Sequence, residues 1–204
     1  TWLEGFENDG VLRLTSDHEQ SSATLEVGED GDQTLINRGT IQISGPAEFD
    51  YRHQIQGDLI NEGTFNASAD VRISRAGLIE QMHVTNTGTF TIAPDVRVEA
   101  EHFIQDGGTL NHQGQLQAYR FTFNGGLISG EPIVTRRLTL NSDGAGDFEF
   151  YGQGNELTGP IAGDQTVMIS AGSQPDSPNS YNDAELTWLE GFENDGVLRL
   201  TSDH

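Results

Sequence analysis

The segment TWLEGFENDGVLRLTSDH occurs twice, letter for letter, at residues 1–18 and 187–204. Eighteen consecutive identities do not arise by chance, so the chain reads as one full period of an array, 1–186, and the start of the next identical period, 187–204. A chain that repeats in this way must fold into something that another copy can follow. That favours stacked, quasi-one-dimensional architectures over closed ones. The second copy is expected to repeat the fold of the first, displaced along the axis of the stack.

A shorter repeat is nested inside the long one. Asn8-Asp9-Gly10 is followed by the alternating run Val11-Leu12-Arg13-Leu14, and the signal returns at Asn37-Arg38-Gly39, Asn61-Glu62-Gly63 and Asn86-Thr87-Gly88. Degenerate forms follow at Asp106-Gly107-Gly108 and Asn124-Gly125-Gly126, so the interval between glycines shortens along the chain. A unit of that size is too small to bury an apolar face alone and must stack on its neighbours. Asn and Gly tolerate a left-handed backbone, so each Asn-x-Gly is expected to be a sharp corner between strands. Period-2 alternation then places Leu12, Ile41, Phe65 and Phe90 in one inward column, with Thr40, Thr64 and Thr89 outside. Strands spaced like those in a sheet would let Asn37, Asn61 and Asn86 bond one another through their amides.

Strand formers and turn residues dominate throughout. Only Ala76–Val84 has the look of a short helical turn, and Ser173–Asn182 reads as a loop or joint between periods. The fold class is therefore all-β, a parallel β-solenoid with about eight turns of roughly 23 residues per period. The Asn-x-Gly-Thr-apolar recurrence at 37–41, 61–65 and 86–90 resembles that of right-handed parallel β-helix surface proteins, such as filamentous-haemagglutinin-like adhesins and autotransporter passenger domains. The resemblance implies an extracellular or cell-surface fibre, filament or adhesin stalk. β-Helices that cleave polysaccharides share this signature, so it leaves open polysaccharide binding or cleavage as the alternative.

Charge narrows the partners. Ten basic residues, all Arg, face 32 acidic ones for a formal charge of −22, a surface that repels nucleic acid and anionic lipid. With neither lysine nor cysteine, Schiff-base, P-loop and thiolate chemistry are excluded. No run approaches the ~18 apolar residues of a membrane span, so no membrane insertion is expected. The expected partners are further copies of the same repeat, end to end.

Candidate chemistry is sparse. Two glycine-bent acidic loops could offer oxygen ligands to Ca²⁺, through Asp30 and Asp32 in the first and Asp143 and Asp147 in the second. Asp147 and Glu149 alternate with Phe148 and Phe150, and alternation would set the two carboxylates on one outward face beside Arg136 and Arg137. They read as ordinary charged strand positions, and no catalytic or cofactor-binding residue is assigned. His83, His102 and His112 lack paired metal-ligand spacing and read as surface or strand-edge histidines. Asn66 heads a glycosylation triplet, and Trp2 with its copy Trp188 reads as a joint residue that packs one period on the next.

Overall fold

The computed structural model describes residues 5–18, 20–45, 52–74, 82–174, 177–190 and 193–202. Trp2 and most of the Ala76–Val84 stretch lie outside the described residues. The protein is all-β: the described residues form twenty strands and no α-helix, and the one helical element among them is a 3₁₀ turn at Glu29–Gly31.

Among the described residues every strand pairing but one is parallel. The pairings sort the strands into three sets that the chain visits in turn. The first set holds Phe6–Asn8, Thr34–Asn37, Asp58–Asn61 and His83–Asn86, then residues 102–105, 120–123 and 137–139, then Asn155–Thr158 and Leu186–Trp188. The second holds Val11–Thr15, Thr40–Ser44, Thr64–Ala67 and Thr89–Ile92, followed by residues 109–112 and 127–130. The third begins with Thr24–Glu26, His53–Gln56, Val71–Ile73 and residues 97–100 and 115–118. It continues through residues 133–135, Gly146–Tyr151, the start of Gln165–Gln174 and Val197–Ser202.

Register follows the alternation of side chains. One inward row of the first set runs Phe6, Leu35, Leu59, Val84, Phe103, Phe121, Leu138, Leu157 and Trp188, each paired with the next. Its two end residues are half-buried and the seven between them are buried. In the second set Leu12, Ile41, Phe65, Phe90 and Leu110 are successive partners, and Phe65 stacks on Phe90 with ring centroids 4.2 Å apart. Edge and stacked contacts carry the aromatic packing on to Phe103 and Phe121. The outward residues between these rows are half-exposed, as a pleated strand with one face on a core requires.

Three features depart from the sequence reading. Ser173–Asn182 is largely strand: Gly172, Ser173 and Gln174 pair antiparallel with Asn182, Tyr181 and Ser177. Antiparallel strands can satisfy their backbones on each other with no apolar face, so low apolar content did not prevent strand formation. The second set also stops at residue 130: among the described residues no strand pairs on its downstream side, and Leu127 is left 70% exposed. The turn-rich runs 141–145 and 159–164 pass where further strands of that set would lie.

The third departure concerns the duplicated segment. At its first occurrence Val11–Thr15 belongs to the second set, but at its second occurrence Val197–Ser202 pairs with Thr166–Ala171 in the third. Asn8 sits in a first-set strand, whereas Asn194 makes an isolated bridge with Ile161, in the run that follows a first-set strand. Both halves of the segment have thus moved over by one set. Leu12 and Leu198 are alike half-buried against the core, while Leu14 is buried and Leu200 is 79% exposed. The copies are therefore not related by an axial translation alone. The physical reason is the surface each meets: Asn8 has the Asn37 amide to bond, while Asn194 meets Ile161.

Candidate functional site

The corners are built from an amide ladder. Asn8 Nδ2 donates to Asn37 Oδ1 at 2.7 Å, Asn37 to Asn61 at 2.7 Å, Asn61 to Asn86 at 2.8 Å, and Asn86 to Gln105 Oε1 at 3.0 Å. Each Nδ2 also donates to a backbone carbonyl of the next layer: Thr40, Thr64, Thr89 and Thr109 in turn. Asn37, Asn61, Asn86 and Gln105 are wholly buried, and their amides are satisfied within the ladder and by nearby backbone carbonyls, Gln105 Nε2 ending the ladder on Gly107 O.

The glycines of these corners serve a purpose other than the one their residue type suggested. None of Asn8, Asn37, Asn61, Asn86, Gly10, Gly39, Gly63 or Gly88 has a positive φ. The constraint is close approach: a Cβ on Gly39, Gly63 or Gly88 would lie 2.1, 2.3 or 2.2 Å from the carbonyl oxygen of Gly10, Gly39 or Gly63 in the preceding layer. Glycine allows the corner backbones to stack, and Asn ties them together.

On the outer face of the first set a second column forms from charged and titratable side chains. His102, Arg120, Arg137 and Glu156 are successive register partners, His83 pairs with His102, and Asp58 lies one strand before His83. His83 Nδ1 lies 3.0 Å from His102 Nδ1, and His102 Nε2 lies 2.9 Å from Thr122 Oγ1. Burial, and then the nearby His83 and Arg120, push the His102 pKa down to about 4, so its ring is neutral at ordinary pH. Arg137 pairs with Glu156 at 3.1 Å and lies 5.7 Å above the Tyr119 ring. Beside them is an open groove of about 230 Å³, lined by His102, Arg120, Thr122, Arg137, Thr139, Glu156 and Thr158.

The contact between His83 and His102 escapes a search for conventional ligand spacing. The signal was present nonetheless: His83 precedes His102 by the same interval as Asn86 precedes its partner Gln105. Two further histidines are buried. His53 accepts the Ala23 amide at Nδ1 and contacts Ser44 O through Nε2, which fixes a neutral tautomer, and burial lowers its pKa. His112 is wholly buried, and neither ring nitrogen meets hydrogen-bond geometry; burial lowers its pKa, opposed by the nearby Gly114 backbone.

The acidic candidates are scattered. Asp30 is in the 3₁₀ turn, Asp32 caps its end and is exposed, and Asp143 and Asp147 are exposed. Among the described residues no group of three or more His, Asp or Glu side chains is placed to hold a metal ion. Asp147 and Glu149 do not form the exposed carboxylate pair that alternation suggested. Glu149 is buried and accepts a hydrogen bond from Ser170 Oγ on the strand paired with its own. Arg136 and Arg137 diverge, the first towards Gln153 O and the second to Glu156. Asn66 is half-buried beside Thr91, and Trp188 packs against the core at the end of its row. Comparison of the chain with protein-family models, with curated proteins and with solved structures finds no match.

Proposed function

We propose that the chain is one period of a parallel β-helix, about eight coils long, that serves as a non-enzymatic structural module of a tandem-repeat fibre, filament or adhesin stalk outside the cell. The three strand sets are its faces, and the steps from Phe6 to Trp188 are its coils. Each coil touches only the coils before and after it, which suits an array extended by repetition. Ca²⁺ on the acidic loops is compatible with this reading and adds nothing to it.

One observation carries the proposal. A Cβ on Gly196 would lie 2.2 Å from Ala162 O, whereas a Cβ on the identical Gly10 would meet nothing within 4 Å. Where a layer precedes it, at Gly196, the glycine of this segment is sterically required, which supports a segment able to stack on the coil before it. Because the second copy has moved over by one set, successive periods are related by an axial shift combined with a rotation of one face. Eight coils at the sheet spacing give a shift of roughly 38 Å. Chains of one, two and four periods should therefore be rods that lengthen by roughly 38 Å per period in scattering or electron microscopy. Jointed beads, or globules of constant length, would reject the module.

A second reading, a polysaccharide-binding face, is favoured by the groove beside Arg120 and Arg137. Titration with acidic and neutral oligosaccharides tests it; no saturable binding at millimolar concentration removes it.

A further inference from the structure

We propose that His83 and His102 together form a chelating site for a tetragonal late-transition-metal cation, Cu²⁺ or Ni²⁺. The two Nδ1 atoms are 3.0 Å apart on rings tilted by 57°, and a turn of the exposed His83 ring is what aims both lone pairs at one point beside the line between them. A cation bonded to both at ~2.05 Å would subtend about 94° between them, close to the right angle of square-planar or octahedral coordination. A tetrahedral ion such as Zn²⁺ would need the nitrogens at about 3.35 Å.

The orientation of one ring is already set. His102 Nε2 is engaged by Thr122 Oγ1 at 2.9 Å, so the lone pair that remains for coordination is on Nδ1. Which Nδ1 donates to the other depends on the tautomer. For both Nδ1 lone pairs to coordinate, each neutral ring must carry its one proton on Nε2, so a ring protonated on Nδ1 exchanges that proton through solvent to Nε2, and the two neutral rings bring no net charge to the metal. His83 is exposed and His102 half-buried, which leaves the outer coordination positions to water. Asp58 Oδ1 accepts the His83 amide at 2.8 Å and holds a carboxylate on the far side of that residue. The −22 charge of the chain raises the local concentration of divalent cations.

Neighbouring strands supply the two ligands, so the site reads the stacking of layers and is independent of the acidic loops considered for Ca²⁺. Imidazole nitrogens favour the late transition metals over the hard alkaline-earth cations, which separates the two sites chemically.

The test is calorimetric titration of the intact chain with Cu²⁺ or Ni²⁺ alone, with Ca²⁺ as the control, alongside His83→Asn, His102→Asn and Thr122→Val. Both histidines face outward, so melting curves in chelator should match the parent and show that the variants fold. One metal per chain is expected at this site, with affinity falling at least about tenfold in each histidine variant and about tenfold in Thr122→Val. The Cu²⁺ paramagnetic resonance spectrum should carry splitting from two nitrogens, reduced to one in either histidine variant. Equal binding in the double histidine variant would overturn the proposal, as would a parent spectrum without nitrogen splitting or the absence of saturable binding up to millimolar metal.

Discussion

Replacing Asn61 by Leu tests whether the amide ladder holds the corners together. Asn61 accepts from Asn37 Nδ2 at 2.7 Å and donates to Asn86 Oδ1 at 2.8 Å and Thr89 O at 3.0 Å, all in a wholly buried position. Leucine has similar volume and no polar atoms. Asn37 Nδ2 would keep Thr64 O at 3.0 Å, but Asn86 Oδ1 would lose its donor where water cannot reach. A stranded buried acceptor costs about 1–3 kcal/mol, and the further lost bonds about 1 kcal/mol each. Burying the leucine returns about 1.5–3 kcal/mol, leaving a net loss of about 2 kcal/mol. For a chain of this length that is a fall in melting temperature of roughly 4–8 °C. The control is Asn141→Leu, which removes a 2.9 Å amide bond to Asn124 at an exposed corner where water can substitute. Its loss should stay within about 0.5 kcal/mol. Urea denaturation followed by two probes measures both. If Asn61→Leu costs less than about 1 kcal/mol, or no more than Asn141→Leu, the buried ladder does not stabilise the corners.

The steric reading of the corner glycines predicts a contrast between identical residues: Gly196→Ala should destabilise by roughly 1–3 kcal/mol, while Gly10→Ala in the same chain is neutral. Equal melting temperatures for the two variants would sink it. Burial lowers the pKa of both His53 and His112, so the unfolded chain takes up protons that the folded chain refuses. Stability is then full above the ordinary imidazole pKa of about 6.5 and declines as pH falls below it. His112→Leu should flatten the decline in melting temperature between about pH 6.5 and 5, where most carboxylates are still ionised; an unchanged slope would contradict this. Finally, a formal charge of −22 makes neighbouring layers repel, so melting temperature should rise with salt and further with Ca²⁺. Curves indifferent to both would leave the acidity as a matter of solubility alone.

What could be read in advance was whatever the layer spacing repeats. Asn37, Asn61 and Asn86 recur at the same offset as the strands that carry them, so their register and the inward column of Ile41, Phe65 and Phe90 were legible from spacing and alternation. The reason for the glycines was not, because the steric limit at Gly63 is set by Gly39 O, a carbonyl of the preceding layer that is distant in sequence. Contacts between outward side chains were equally hidden. They depend on the local step between layers, which is shorter from His83 to His102 than from Asn61 to Asn86, and shorter again from Arg120 to Arg137. Glu149 is buried where alternation points it outward, and its hydrogen bond with Ser170 depends on a strand partner that alternation within one strand does not reveal. The end of the second strand set at residue 130 left a trace in the fading Asn-x-Gly signal, but the displacement of the second copy by one set left none. Identical sequences took different places because they met different neighbours.

The most direct test of a continuing β-helix is the structure of a chain with two complete periods, determined by electron cryomicroscopy or crystallography. The account predicts one uninterrupted stack in which Asn194 donates its amide to the next period's copy of Asn37 and the Val197–Ser202 strand gains a partner on its open side. The second period should superpose on the first after a shift of roughly 38 Å and a rotation of one face. Two separate bodies joined by a linker, or a second period that turns back to pair elsewhere, would contradict it.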